Sequence, residues 1–145
     1  MPGETPYPDI YEPLSHTGDL GMVAYGQDLP ELFAHAAWAL FDLMSDATTI
    51  RPQQTVTLDV SATDLEDLLV RWLSELLYLY DTQRLLCCTF TFATLEPTHL
   101  TATVAGEPLD PDRHPIDTEI KAVTYHQIAV ERVEGRWQAR VIFDL

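Results

Sequence analysis

From Leu85 onward the hydrophobic period of this chain settles at two, and that change leaves few folds open to it. Before Tyr80 two long stretches repeat apolar residues at helical spacing, whereas from Leu85 onward the apolar positions alternate. In "DLPELFAHAAWALFDLMSD", Leu29, Leu32, Phe33, Ala36, Ala37, Leu40, Phe41 and Met44 line one helical face. Asp28 lies three residues ahead of Glu31 at capping-box spacing, and Pro30 in the first turn costs no hydrogen bond. In the second stretch Leu65, Leu68, Leu69, Trp72, Leu73, Leu76, Leu77 and Tyr80 share a face. This helix is expected to open on Thr63 and Glu66, again at capping-box spacing.

A short alternating run precedes each helix: Leu20, Met22 and Ala24 within Asp19–Tyr25, and Val56, Leu58 and Val60 within "TVTLDVSA". Sliding the chain by 36 residues lays "DLPELF" on "DLEDLL" with these strands in register, which suggests a duplicated strand-helix unit. After Leu85 the runs "LLCCTFTFA", "HLTATVA", "IKAVTY", "QIAVERV" and "RWQARVIFDL" read as strands, the last two joined by a tight hairpin at Glu134 and Gly135. The expected fold is α+β, an antiparallel sheet or partial barrel backed by two amphipathic helices. Residues 1–10, with three prolines, read as a flexible lead-in, and residues 11–145 as a single domain.

With 8 basic against 23 acidic residues the net charge is −15. Such a field repels phosphate backbones, so no direct nucleic-acid binding is expected, and any role in nucleic-acid chemistry would run through another protein. Cys87 and Cys88 are adjacent, which suits neither an ordinary disulfide nor a zinc site, and they read as reduced residues of a cytoplasmic protein. No leader and no membrane-length apolar run occurs, so the expectation is a soluble, cytoplasmic chain.

The last strand ends on Asp144 with the terminal carboxylate of Leu145 one residue away. If Trp137, Ala139, Val141, Phe143 and Leu145 pack inward, Asp144 lies on the other face, and two anionic oxygen groups stand side by side. Calcium, magnesium and manganese favour such oxygen donors. Taken alone, the stretch reads first as a solvated chain end. "SHTGDLGMVAYG" gathers His16, Asp19, Gly18 and Gly21 at the mouth of the first strand. Asp19 there suits either an Asx turn or a metal ligand. Lys121, the only lysine, is expected mid-strand, and His114 and His126 are either packed or acid-base groups. Asp59, Asp64, Glu66 and Asp67 around the second helix start read as capping and solubility. Walker, dinucleotide, nucleophile-elbow and H-E-x-x-H patterns are missing from the sequence.

Several blocks taken together resemble the archease family. "SHTGDLGMVAYG" followed by "LPELFAHAAWALFDLMSD" is similar to its signature, D-H-T-A-D-[VI]-G leading into an alanine-rich helix. "LEDLLVRWLSELLYLYDT", "TEIKAVTYHQIAV" and "ARVIFDL" resemble its second helix, its lysine-bearing strand and its ending, so the likeness spans residues 11–145. The resemblance implies a small α+β protein, not itself a catalyst, that partners an RtcB-type RNA ligase acting in tRNA splicing and RNA repair. Such a partner promotes guanylylation of the ligase and its multiple turnover. It also implies a divalent metal (calcium, magnesium or manganese) held by Asp19, Asp144 and Leu145, the last through its main chain or terminal carboxylate, with Lys121 nearby and His16 and His126 as possible neighbours. Ser15 stands where the signature has an acid and Gly18 where it has alanine. Two other readings stay open: a stand-alone metal-dependent phosphoester hydrolase and a chaperone-like binding module.

Overall fold

The computed structural model describes residues 7–16 and 19–145, with the side chains of Ser15 and His16 excepted. Six residues of the expected lead-in, and Gly18, therefore lie outside the described residues. The remainder of the lead-in is a turn, the Ile10 and Tyr11 amides both donating to the Tyr7 carbonyl.

Eight strands and two long helices follow among the described residues: β1 (Tyr11–His16), β2 (Asp19–Gly26), α1 (Leu29–Met44), β3 (Gln54–Ser61), α2 (Leu65–Gln83), β4 (Leu85–Glu96), β5 (His99–Pro108), β6 (Ala122–Val123), β7 (Ala129–Val133) and β8 (Arg136–Asp144). One sheet runs β1-β2-β8-β6 with β7 also on β8, and the other runs β3-β5-β4. Every pairing is antiparallel, and the sheets do not close into a barrel. Helix α1 packs on β2 of the first sheet and β4 of the second, so it ties the two together, while α2 packs on β3, β4, β6 and α1.

The helical faces read from the sequence are the buried ones: Leu32, Phe33, Ala36, Ala37, Leu40, Phe41 and Met44 of α1 and Leu68, Leu69, Trp72, Leu73, Leu76, Leu77 and Tyr80 of α2. Trp72 donates from Nε1 to the Phe33 carbonyl at 3.0 Å. Its ring meets Phe90 and Phe92 at 6.0 and 5.1 Å, joining both helices to the second sheet. Asp28 caps α1 as expected, accepting from the Glu31 amide at 2.9 Å, while Glu31 accepts from the Gln27 amide at 3.1 Å.

The expected cap of α2 is one residue off. Asp64, not Thr63, is the N-cap, accepting from the Asp67 amide at 2.8 Å, and Asp67 reaches back to the Thr63 amide at 2.9 Å. Acid for acid, this repeats the arrangement at Asp28, because a carboxylate in the third helical position serves as well as Glu66 would. The strand-helix order does occur twice, yet the structure does not confirm a duplication: β2 lies inside one sheet and β3 at the edge of the other.

Three strand expectations change. β1 was not foreseen, because Pro13 interrupts it, and an edge strand is where a proline is tolerated. "IKAVTY" pairs only at Ala122 and Val123. Lys121 therefore precedes the strand and is not mid-strand, and beyond Val123 the chain turns off through Thr124, whose hydroxyl donates to the Ile142 carbonyl at 2.8 Å. In β4 the register shifts between Cys87 and Thr89, so Leu85, Leu86 and Cys87 are all buried and the alternation fails there. The hairpin at Glu134 and Gly135 is as read, with φ of 53° and 83°, the left-handed pair that a two-residue turn needs.

Candidate functional site: the acidic end of the β2-β8 ladder

Strand β8 is held on both sides, by β2 along its length and by β7 and then β6 on the other edge. In the β2-β8 register Leu20 faces Phe143, and continuing that register by one residue sets Asp19 opposite Asp144. Directly opposed residues of an antiparallel pair carry side chains on one face with Cβ atoms about 4.5–5.5 Å apart. Leu20 and Phe143 point to the core, so the two acids share the outer face, and the terminal carboxylate of Leu145 follows at the same corner. His16 pairs with Asp19 across the β1-β2 ladder, so its backbone borders the corner, while its side chain lies outside the described residues.

Next along that face, Gly21 faces Ile142. A Cβ at position 21 would sit 2.7 Å from the Ile142 Cδ1 and 3.1 Å from the Val141 carbonyl oxygen, so the space a side chain would need is already filled. Ile142, on the same face of β8 as Asp144, is nonetheless buried, because its side chain lies over the bare backbone of Gly21.

The Lys121 amide donates to the Asp144 carbonyl at 2.8 Å, and Ala122 pairs with Asp144, so the lysine adjoins the acids through the backbone. Lys121 is exposed and lines a depression of about 220 Å³ against α2, with Tyr78 and Asp81 among its neighbours. His126 is exposed in the turn after β6 rather than on a strand, its amide donating to the Thr124 hydroxyl at 3.2 Å. His114 is a packed residue: the Asp110 amide donates to its Nδ1 at 2.9 Å, so Nε2 carries the hydrogen given to Glu107. Burial pushes the Glu107 carboxyl up, but bonds from Arg113, the Arg51 amide and His114 outweigh it and leave the group below its ordinary value.

Asp67 does more than the capping and solubility expected of it. Its carboxylate accepts from the Tyr125 hydroxyl at 2.6 Å, from Arg71 Nε at 3.0 Å, and from the Thr63 amide and hydroxyl at 2.9 and 3.1 Å. The Tyr125 bond foremost, then the Thr63 amide, hold Asp67 well below the carboxylate range, and the same bond raises the Tyr125 phenol. This knot ties the segment that carries Lys121 and His126 to the start of α2. Nothing in the local sequence pairs Asp67 with Tyr125, 58 residues apart.

Among the described residues no three His, Cys, Asp or Glu side chains gather as a metal group. The corner offers two such side chains, Asp19 and Asp144, plus a main-chain carboxylate, a set of hard oxygen donors whose chemistry fits a calcium, magnesium or manganese ion. Among the described residues no helix is long and apolar enough to cross a membrane.

The profile of the Archease protein family (MTH1598/TM1083) matches residues 11–145. The chain belongs to the archease family. It is 37% identical over 139 residues to the protein archease of Methanosarcina mazei, covering 93% of this chain and 95% of that one. It is 38% identical over 138 residues to that of Methanopyrus kandleri, covering 93% and 99%. The solution structure of Methanobacterium thermoautotrophicum protein 1598 superposes with a TM-score of 0.81 at 36% identity over 93% of this chain and 98% of that one. The Thermotoga maritima crystal structure, described as an archease and possible chaperone, gives a TM-score of 0.61 at 21% identity over 92% and 95%, a likeness of fold. The family and the α+β architecture expected from the sequence are therefore those observed.

Proposed function

We propose that this archease activates an RtcB-type, GTP-dependent RNA ligase, and that it does so from the Asp19-Asp144 corner. The observation that carries this reading is the β2-β8 register, which brings an acid from one end of the chain and an acid from the other to the same face beside the terminal carboxylate. Asp19, Asp144 and the Leu145 carboxylate are the residues that would hold a divalent cation. Such an ion, when bound, supplies positive charge to a phosphoryl group or a nucleotide. The chain's own contribution is placement: β8, clamped between β2 and β6, fixes the acids, and the Lys121 amide on the Asp144 carbonyl keeps the only lysine at that corner. The net charge of −15 supports a partner that handles RNA, because a strongly acidic surface is steered to a basic cleft.

The test is ligation of RNA with a 3′-phosphate end and a 5′-hydroxyl end under single and multiple turnover. Asp19→Ala, Asp144→Ala and a one-residue extension after Leu145 are each expected to lower the stimulation more than tenfold at saturating activator. Undiminished stimulation by all three would refute the corner's role. The description of the Thermotoga protein as a possible chaperone favours a second reading, a general binding module. Protection of unrelated unfolding proteins, unaffected by Asp144→Ala, would support it instead.

A further inference from the structure

The large hydrophobic side chains left exposed among the described residues are Tyr78 at 61%, Tyr125 at 55% and Leu145 at 39%, and all three border one segment. Tyr78 shares a depression with Lys121, Leu145 follows Asp144, which pairs with Ala122, and Tyr125 ends the same segment with its hydroxyl on Asp67. Scattered apolar side chains are ordinary on a surface, but a group gathered at one place marks an interaction site. Tyrosine is also among the residues that most often anchor protein interfaces. Here the Asp67 knot fixes the Tyr125 ring in advance, so little side-chain freedom would be lost when it is covered.

We infer that this face, centred on residues 121–125 and anchored by Tyr78 and Tyr125, docks a protein surface rich in arginine and lysine. Charge selects that occupant. Asp81 lines the Tyr78 depression and Asp64, Glu66 and Asp67 line the Tyr125 one, against Lys121 in the first and Arg71 in the second. A second copy of a chain of net charge −15 would bring like charges together, and an anionic lipid surface would be repelled in the same way. Guanidinium groups of a basic partner would instead find both carboxylates and exposed tyrosine rings to stack on. The inference rests on the proposed function, since it makes this face the contact that delivers the Asp19-Asp144 corner to the ligase.

The experiment titrates the chain into the ligase and separates the half-saturating concentration from the plateau rate. Tyr78→Ala, at an exposed position, is expected to raise the half-saturating concentration about tenfold with the plateau kept, the size of effect typical of an interface anchor. Asp81→Lys raises it by about threefold or more, most strongly at low salt, whereas Thr57→Lys, which adds half that change of charge on the other sheet, leaves it unchanged. Asp144→Ala gives the opposite pattern, a lower plateau at unchanged half-saturation. Unaltered thermal unfolding of Tyr78→Ala shows that the fold is intact. If the parent stimulates the ligase and Tyr78→Ala and Asp81→Lys match it, the face is wrong and the function stands. If the parent neither binds nor stimulates, the function fails and the face with it. Sedimentation that shows a parent dimer broken by Tyr78→Ala assigns the face to a second copy and overturns the inference.

Discussion

Gly21→Ala tests the packing that supports the acidic corner. An alanine Cβ there would lie 2.7 Å from the Ile142 Cδ1 and 3.1 Å from the Val141 carbonyl, about 1 Å inside normal carbon contact in the first case. Ile142 is 2% exposed, so its side chain has no open space to swing into, and the Val141 carbonyl belongs to the β2-β8 pair. Over-packing of this kind costs about 1–3 kcal/mol. Ile142→Val removes the clashing Cδ1 and by itself costs about 0.5–1.5 kcal/mol. If the clash is the cause, the double variant loses less than the sum of the singles, with a coupling of about 1 kcal/mol or more. Urea unfolding resolves this: with a slope of about 1–3 kcal/mol per molar, a 2 kcal/mol loss moves the midpoint by about 1 M. Additive costs, or a neutral Gly21→Ala, would refute the close-approach argument. Because the register, continued past Leu20 and Phe143, sets Asp19 opposite Asp144 on the same face as Gly21 and Ile142, the same series read by manganese or calcium titration is expected to weaken with Gly21→Ala and partly recover in the double variant.

Two further outcomes follow from shifted groups. Asp67 has a folded-state pKa below its unfolded value, so its stabilisation is present above the unfolded carboxylate pKa of about 4 and is lost as pH falls through the lower, folded-state pKa. The gap in melting temperature between the parent and Asp67→Asn should therefore be constant from about pH 5 to pH 8 and narrow below about pH 4; a gap independent of pH down to acid unfolding would show that charge is not what Asp67 contributes. Burial, with a smaller push from Cys88, raises the Cys87 thiol to about 12, and burial with Glu107 raises Cys88 as well. Both thiols should resist alkylation at pH 8 in the folded chain and react on denaturation, and mass spectrometry of the folded chain after alkylation would expose an error.

What the sequence made legible was whatever repeats locally. The two helix faces, the Asp28 cap and the Glu134-Gly135 hairpin each depend on residues within one or two turns of the chain, and each is observed as read. What stayed hidden depends on pairings distant in sequence. β6 is a strand at Ala122 and Val123 only because β8 offers it an edge, and Ile142 is buried on a nominally polar face only because Gly21 lies across the ladder. Asp67 looked like one capping acid among four, since its partner Tyr125 arrives from the segment between β6 and β7. The candidate site is divided in the same way. Asp144 and Leu145 could be nominated by composition and period, Asp19 by its glycine-flanked strand mouth, but their meeting is a property of the β2-β8 register, and before the fold only the family resemblance connected them.

A terminal carboxylate can serve as a fixed ligand only if the last strand does not fray, and chain ends usually do. The sheet order answers this objection. β8 is the most extensively paired strand of its sheet, with β2 on one edge and both β7 and β6 on the other, so Asp144 lies where the sheet is held most firmly. The Asp144 carbonyl, which would otherwise point from a loose end, accepts the Lys121 amide at 2.8 Å. A residue added after Leu145 would leave every one of these backbone bonds in place and yet turn the terminal carboxylate into an amide. The extension is thus the perturbation that separates the chemistry of the corner from the stability of the fold: it keeps every side chain of the ladder and moves one charge by a residue, whereas replacements at Asp19 or Asp144 remove a charge and a side chain together.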